Sequence, residues 1–252
     1  MFSWLKPAHR TEIGYPPLPA GLAAYAIGDI HGRIDLLERL HEQIDADREA
    51  SQDEAIEIYL GDYVDRGVQS AAVLDRLIER SGKLRTVFLA GNHEAVMRDV
   101  LEGTAGLDGW LRYGGVETLI SYKVDVTDRH RKDRHDQIRR DFQRQVPGEH
   151  RAFLNTLKTE FELGDYLFVH AGVRPGVAID RQSVDDLLWI RGGFLEHRGD
   201  FGRIVVHGHS PVDAPDFRPN RINIDTGAYA TNRLTCLKID GRGPHILGSA
   251  AQ

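Results

Sequence analysis

Five short stretches of this chain bring together side chains that bind metal ions: Gly28-Asp29-Ile30-His31-Gly32, Gly61-Asp62-Tyr63-Val64-Asp65-Arg66-Gly67, Gly91-Asn92-His93-Glu94, His170-Ala171-Gly172 and His207-Gly208-His209-Ser210. Carboxylate, amide-oxygen and imidazole donors of this kind suit divalent transition metals. Asp29 and His31 stand two residues apart. In an extended chain they point the same way, so both can reach one ion. Asp62 has two carboxylate oxygens and can bridge two ions. Asn92 offers a neutral oxygen, which limits the charge of the site. His170 supplies a nitrogen, and so does His209, with His207 as its competitor, because Gly208 between them leaves either geometry open. The ligands then divide into Asp29, His31 and Asp62 for one ion, and Asp62, Asn92, His170 and His209 for the other. Shells this incomplete leave positions for water or substrate. Two ions about 3.5–4 Å apart can activate a hydroxide and clamp a phosphoryl group.

Neighbouring residues fit supporting roles. His93 follows Asn92 and would point elsewhere in an extended chain, where it could protonate a leaving alkoxide. Asp65 could hold the other nitrogen of that ring. Arg66 presents a planar fork for phosphate oxygens. Arg191, in Leu188-Trp189-Ile190-Arg191, reads first as a surface residue or a cation–π partner. Asp225 is either a support for the site or a turn residue at a strand end.

Short apolar runs must position these groups. Ala23–Gly28, Ile56–Gly61 and Thr86–Gly91 come first, and Tyr166–His170, Arg203–His207, Ile222–Asp225 and Leu234–Ile239 follow. They have the content of buried strands. Ile34, Leu37, Leu40 and Ile44, then Val73, Leu74, Leu77 and Ile78, recur at helical spacing between the early runs. This alternation predicts βαβ units and a parallel early sheet, with the closely spaced later strands antiparallel. From Gly103 to Glu149 the chain is dense in charge, including Arg129, Arg131, Lys132 and Arg134. That segment reads as a solvated helical insertion or, alternatively, as a lid that selects substrate.

The 252 residues suit a single domain, 1–252, with residues 1–20 as an extended arm carrying four prolines and residues 103–150 as the insertion. The net charge of −6 argues against nucleic acid or an anionic membrane as partner. Cys236, the single cysteine, cannot form an internal disulfide. No apolar run reaches membrane-spanning length. A cytoplasmic location is the expectation.

The motifs resemble the calcineurin-like metallophosphoesterases, and within them the phosphoprotein-phosphatase branch with its small bacterial and phage serine/threonine phosphatases. GDxHG, GDxVDRG, GNHE, a later strand His and GH[T/S] all have counterparts between Gly28 and Ser210. The resemblance implies an α/β fold, a four-layer sandwich of two mixed β-sheets flanked by helices, with a dinuclear metal site at the strand ends. It implies metal ligands Asp29, His31, Asp62, Asn92, His170 and His209, and so selects His209 over His207. The catalytic dyad would be His93 with Asp65. Arg66, Asn92 and Arg191 would contact phosphate. Two divalent ions are implied, with Mn²⁺ the activating ion in vitro and Fe, Zn, Co or Ni as alternatives. The implied activity is a protein serine/threonine phosphatase acting by direct attack of a metal-bound hydroxide. A bis(5'-nucleosyl)-tetraphosphatase, or another small-molecule phosphoesterase, is the alternative. Pro211 stands where many nucleases of the superfamily carry a second His. The acidic Asp65 leans away from the symmetrical dinucleotide hydrolases.

Overall fold

Strand β1 (Leu22–Ile27) shows how the layers form. Its side chains alternate: Ala23, Tyr25 and Ile27 join one apolar cluster, Ala24 and Ala26 another. A strand buried on both faces in this way belongs inside a layered α/β fold. The computed structural model describes residues 14–250. In it α1 (Ile34–Ser51), β2 (Glu54–Tyr59), α2 (Ser70–Ser81) and β3 (Thr86–Phe88) follow β1, and the three strands run parallel. Then come α3 (Asn92–Glu102), α4 (Leu107–Trp110), α5 (Val116–Ser121), α6 (His135–Gln145) and α7 (Gly148–Thr156).

The second sheet holds β4 (Glu160–Leu163), β5 (Tyr166–Val169), β6 (Ile204–His207), β7 (Asp216–Arg218) and β8 (Arg221–Asn223), in the order β4-β5-β6-β8-β7. Helices α8 (Val184–Trp189) and α9 (Gly192–Leu195) lie between β5 and β6 in sequence, and α10 (Ala228–Thr231) follows β8. The chain then returns to the first sheet as β9 (Leu234–Asp240) and β10 (Gly243–Ala250), giving the order β10-β9-β1-β2-β3. Leu60, Ile58, Phe168, Val206, Ile222 and Leu237 fill the layer between the sheets. Each such side chain, fully buried, stabilises the fold by about 1.5–3 kcal/mol. Helices cover both outer faces: α1, α2 and α3 pack on the first sheet, and Leu187 and Phe194 on the second. The fold is thus two mixed five-stranded sheets flanked by helices, as the motifs implied.

Two expectations need correction. The later strands are not simply antiparallel: β5, β6 and β8 are parallel to one another. The stretches joining them hold α8, α9 and the β7 hairpin, which is chain enough for parallel crossovers. The 103–150 segment is not merely solvated. Trp110, Leu119, Tyr122, Ile138 and Phe142 are buried in the same cluster as α1–α3, while Arg129, Arg131, Lys132 and Arg134 stay exposed. The charges hid an apolar face of which Ile138 and Phe142, four apart on α6, are part. Of the expected N-terminal arm, residues 1–13 lie outside the described residues. Residues 14–19 follow no regular element and are held by Tyr166 Oη donating to the Pro16 carbonyl (2.6 Å) and by the buried Leu18. Among the described residues, no helix is long and apolar enough to cross a membrane.

Candidate metal centre

The carboxyl ends of β1, β2, β5 and β6 meet at one rim, the usual position for a site in open α/β sheets. Asp29 and His31 follow β1, Asp62 follows β2, Asn92 and His93 open α3 after β3, His170 follows β5 and His209 follows β6. All are buried, as is Asp65. The backbone here is unusual. His31, Asp62, Asp65, Arg66 and His209 have φ of +47°, +52°, +71°, +67° and +64°. Left-handed backbone at a residue other than glycine is strained, and such strain gathers at functional sites. It turns successive side chains inward where an extended chain would send them apart.

Asp62 has neighbours on two sides. Its Oδ2 lies 3.4 Å from His31 Nε2 and 3.8 Å from His93 Nε2, and its Oδ1 lies 3.3 Å from His170 Nε2. Two groups with ligand spacing result: His31, Asp62 and His93, and Asp62, His170 and His209. Asn92 Oδ1 stands 2.9 Å from His170 Nε2. Asp29 falls outside both groups; its carboxylate accepts from the His209 amide (3.0 Å). Gly91 lets the loop close, since a Cβ there would collide with the Asp62 carboxylate and amide. Glu94 clamps the same loop, accepting from the amides of Asp62 (2.8 Å), Tyr63 (2.7 Å) and Val64 (3.1 Å).

His170 Nδ1 lies 2.8 Å from the Leu60 carbonyl. A carbonyl only accepts, so this nitrogen carries the proton and Nε2 presents its lone pair to Asp62 and Asn92. His209 Nε2 is buried with no partner. A lone pair of His170 facing carboxylate and amide oxygens is a contact that a cation would relieve, and the donor set suits a divalent metal. At the other half His31 Nδ1 donates to the Val64 carbonyl (2.9 Å), and Arg66 reaches both rings: Nη1 is 3.0 Å from His31 Nε2, Nη2 3.2 Å from His93 Nε2.

Burial, then Asp225 and Asp62, pushes Asp29 well above the usual carboxylate range, and Asp225 rises to about 6, with burial the main cause. A bound cation would reverse such discharge. Burial would also raise Asp62, but the imidazoles around it, His170 first, hold it below its ordinary value. His93 differs from the other site histidines. Burial works against its charge, yet Asp62 and the hydrogen bond to Asp65 bring it up to about 8, with Arg66 opposing. Its Nδ1 donates to Asp65 Oδ2 at 2.7 Å.

The family model for calcineurin-like phosphoesterases matches residues 24–240. The chain belongs to that family. This phosphoesterase is 27% identical over 197 residues to bis(5'-nucleosyl)-tetraphosphatase PrpE [asymmetrical] of Anoxybacillus flavithermus, covering 71% of this chain and 74% of the relative. It is 28% identical over 225 residues to serine/threonine-protein phosphatase 2 of Salmonella typhimurium, covering 85% and 92%. A solved cold-active protein-tyrosine phosphatase of a Shewanella species shares the fold, with a TM-score of 0.60 at 19% identity over 92% of this chain and 83% of that one.

The phosphoesterase departs from local sequence reasoning at two points. Asp29 and His31 do not lie on extended chain, because His31 is left-handed. Asn92 and His93 sit in the first turn of α3, not at a strand end, and the helical turn separates their side chains. Arg191 is exposed before α9, near enough for its charge to act on His170 and His209. His207, the competitor of His209, turns Nδ1 to the Gly208 carbonyl and packs on Phe194, with centroids 4.9 Å apart. Sequence reasoning overlooked Glu94, although it stands three residues after Gly91, the spacing of a capping box. Trp110 and Thr118, which both reach Asp65, carried no local signal.

Proposed function

We propose that this phosphoesterase is a metal-dependent phosphomonoesterase that removes phosphate from serine and threonine side chains of proteins. The observation that carries the reading is the 2.7 Å hydrogen bond between His93 Nδ1 and Asp65. A serine or threonine alkoxide is a poor leaving group and gains most from a proton delivered in the transition state. A phosphate leaving group, as in a dinucleoside polyphosphate, needs far less help. Asp65 holds the ring through Nδ1, and the imidazolium form that Asp62 and Asp65 favour carries a second proton on Nε2, facing the site, which it can give to a leaving oxygen. Arg66, Arg191 and the Asn92 amide are assigned to the phosphate oxygens. Asp29, His31, Asp62, Asn92, His170 and His209 would hold two divalent ions, Mn²⁺ being the first to supply. When bound, the ions supply an activated water and neutralise phosphoryl charge. Asp29, which falls outside both groups, would join them by a shift of its carboxylate, and its oxygens can keep the His209 amide while doing so.

A second reading is hydrolysis of dinucleoside polyphosphates. Two exposed aromatic rings support it: Tyr229, 40% exposed, stacks 4.7 Å from the Arg66 guanidinium, and Trp189, 45% exposed, lies edge-on 6.4 Å from His209. Flat, accessible rings beside a phosphate site can take a nucleobase. The deciding measurement compares kcat/KM for a phosphothreonine peptide and for diadenosine tetraphosphate, on metal-stripped protein reloaded with Mn²⁺. Preference for the peptide supports the first reading; preference for the dinucleotide replaces it with the second.

A further inference from the structure

We infer that Trp110 and Thr118 are positioning residues for the proton donor: they fix the Asp65 carboxylate and, through it, the angle of the His93 ring. The inference rests on the phosphomonoesterase reading and gives the 107–121 segment a part in it. Asp65 is fully buried, and its two oxygens are shared among three donors. Oδ2 accepts from His93 Nδ1 (2.7 Å) and from Trp110 Nε1 (2.8 Å), and Oδ1 accepts from Thr118 Oγ1 (2.6 Å). The terminal torsion of an aspartate is soft. Donors on both oxygens remove that freedom, so the ring that hydrogen-bonds to Oδ2 inherits a single orientation.

The donors are themselves held. Thr118 Oγ1 also accepts from the Asp65 amide (2.9 Å) and lies 3.0 Å from Ser70 Oγ, so its hydroxyl has no freedom to rotate away. The Trp110 indole is 1% exposed and lies against Phe142, with centroids 5.2 Å apart. A Cβ on Gly115 would stand 2.5 Å from the indole, so glycine is what lets the chain pass there. The preceding Gly114 has φ of +104°, and its carbonyl accepts from the Arg66 amide (3.0 Å). One short segment therefore grips both Asp65 and Arg66, from 45 to 53 residues away in sequence. A merely structural seat would matter equally for every substrate. A seat that aims a proton donor matters in proportion to how much the leaving group needs the proton.

The test uses Trp110→Phe, which keeps an aromatic ring and removes the N–H, and Thr118→Val, which keeps the shape and removes the hydroxyl. With each Mn²⁺-loaded variant, kcat/KM is measured on p-nitrophenyl phosphate and on a phosphothreonine peptide, alongside metal content and circular dichroism. General-acid catalysis contributes roughly 10²–10⁴-fold, and misaiming the donor forfeits part of it. The expected result is a fall of about 10-fold or more on the peptide, a change under about 3-fold on p-nitrophenyl phosphate, and unchanged metal content. Equal losses on both substrates, or no loss on either, in a folded variant would overturn the inference. If Trp110→Phe fails to fold, Thr118→Val decides; failure of both to fold also overturns it, because the residues would then serve the fold alone. A wild type inactive on both monoesters defeats the parent reading, and this inference with it. A wild type active on both, with variants that show no split, defeats this inference only.

Discussion

Asp62 is where the two halves of the site meet. Its oxygens look toward His31 and His93 on one side and His170 on the other, so among the described residues it alone belongs to both ligand groups. Asp62→Asn should abolish phosphomonoesterase activity and release most bound metal, measured by elemental analysis after desalting. His207 and His209 offer a sharper comparison, because both have a buried, unpartnered Nε2. His209 groups with Asp62 and His170, whereas His207 packs against Phe194. His209→Ala should lose metal and activity. His207→Ala should keep its metal and most of its rate but lose roughly 2–4 kcal/mol of stability to the cavity it leaves, seen as a lower Tm. Retained metal in His209→Ala would sink the ligand assignment. At this scale the motifs marked residues that the fold brings together at one rim. Thr118 and Trp110 escaped notice because their partner is 53 and 45 residues away, and no local pattern encodes a contact made by folding.

Among the elements, the apolar runs of β1, β2, β5 and β9 were legible because both faces of each strand are buried, leaving little polar alternation to confuse the reading. The edge strands β4 and β7 were missed: they are short and only partly buried, so solvent-facing residues interrupt their pattern. Helix α1 shows a buried polar contact that motif reading passed over. His41 Nε2 lies 2.9 Å from Tyr59 Oη on β2, and that hydroxyl donates to Glu57 Oε2 (2.7 Å). Since the hydroxyl's proton goes to Glu57, His41 must donate, which a neutral ring does. Burial, with Arg80 and Arg76 nearby, pushes His41 down to about 3 from its ordinary 6.5. The unfolded chain therefore takes up a proton near pH 6.5 while the folded chain waits until about pH 3. In that window the unfolded state binds more protons, so stability falls as pH falls. His41→Leu should flatten the decline by up to about 1.4 kcal/mol per pH unit, measured by urea unfolding at pH 7, 6 and 5. An unaltered slope would show that His41 is already charged in the fold.

At the scale of the molecule, the candidate ligands come from both sheets: Asp29, His31, Asp62 and Asn92 from the first, His170 and His209 from the second. Ions held there would tie the sheets together at one rim. Saturation at 100 times Kd adds about 2.7 kcal/mol per ion, which for a chain of this size is about 5–10 °C in Tm. Chelation should lower Tm by that order and Mn²⁺ should restore it in a calorimetric scan; an unchanged Tm after verified metal loss would mean that the ions do not favour the folded state over the unfolded chain. The layered architecture was readable because its signature is spread along the chain, in strand ends that recur from Gly28 to Ser210. The curled backbone of His31, Asp62, Asp65, Arg66 and His209 was not, since φ is set by what the surroundings demand. Each such residue costs on the order of 1–3 kcal/mol and persists only while its surroundings over-determine it. The rim is therefore wound like a spring against the packing of the two sheets. Loosening that packing, by heat or a distant cavity, should therefore weaken metal binding at temperatures below the one at which a spectroscopic melt registers global unfolding.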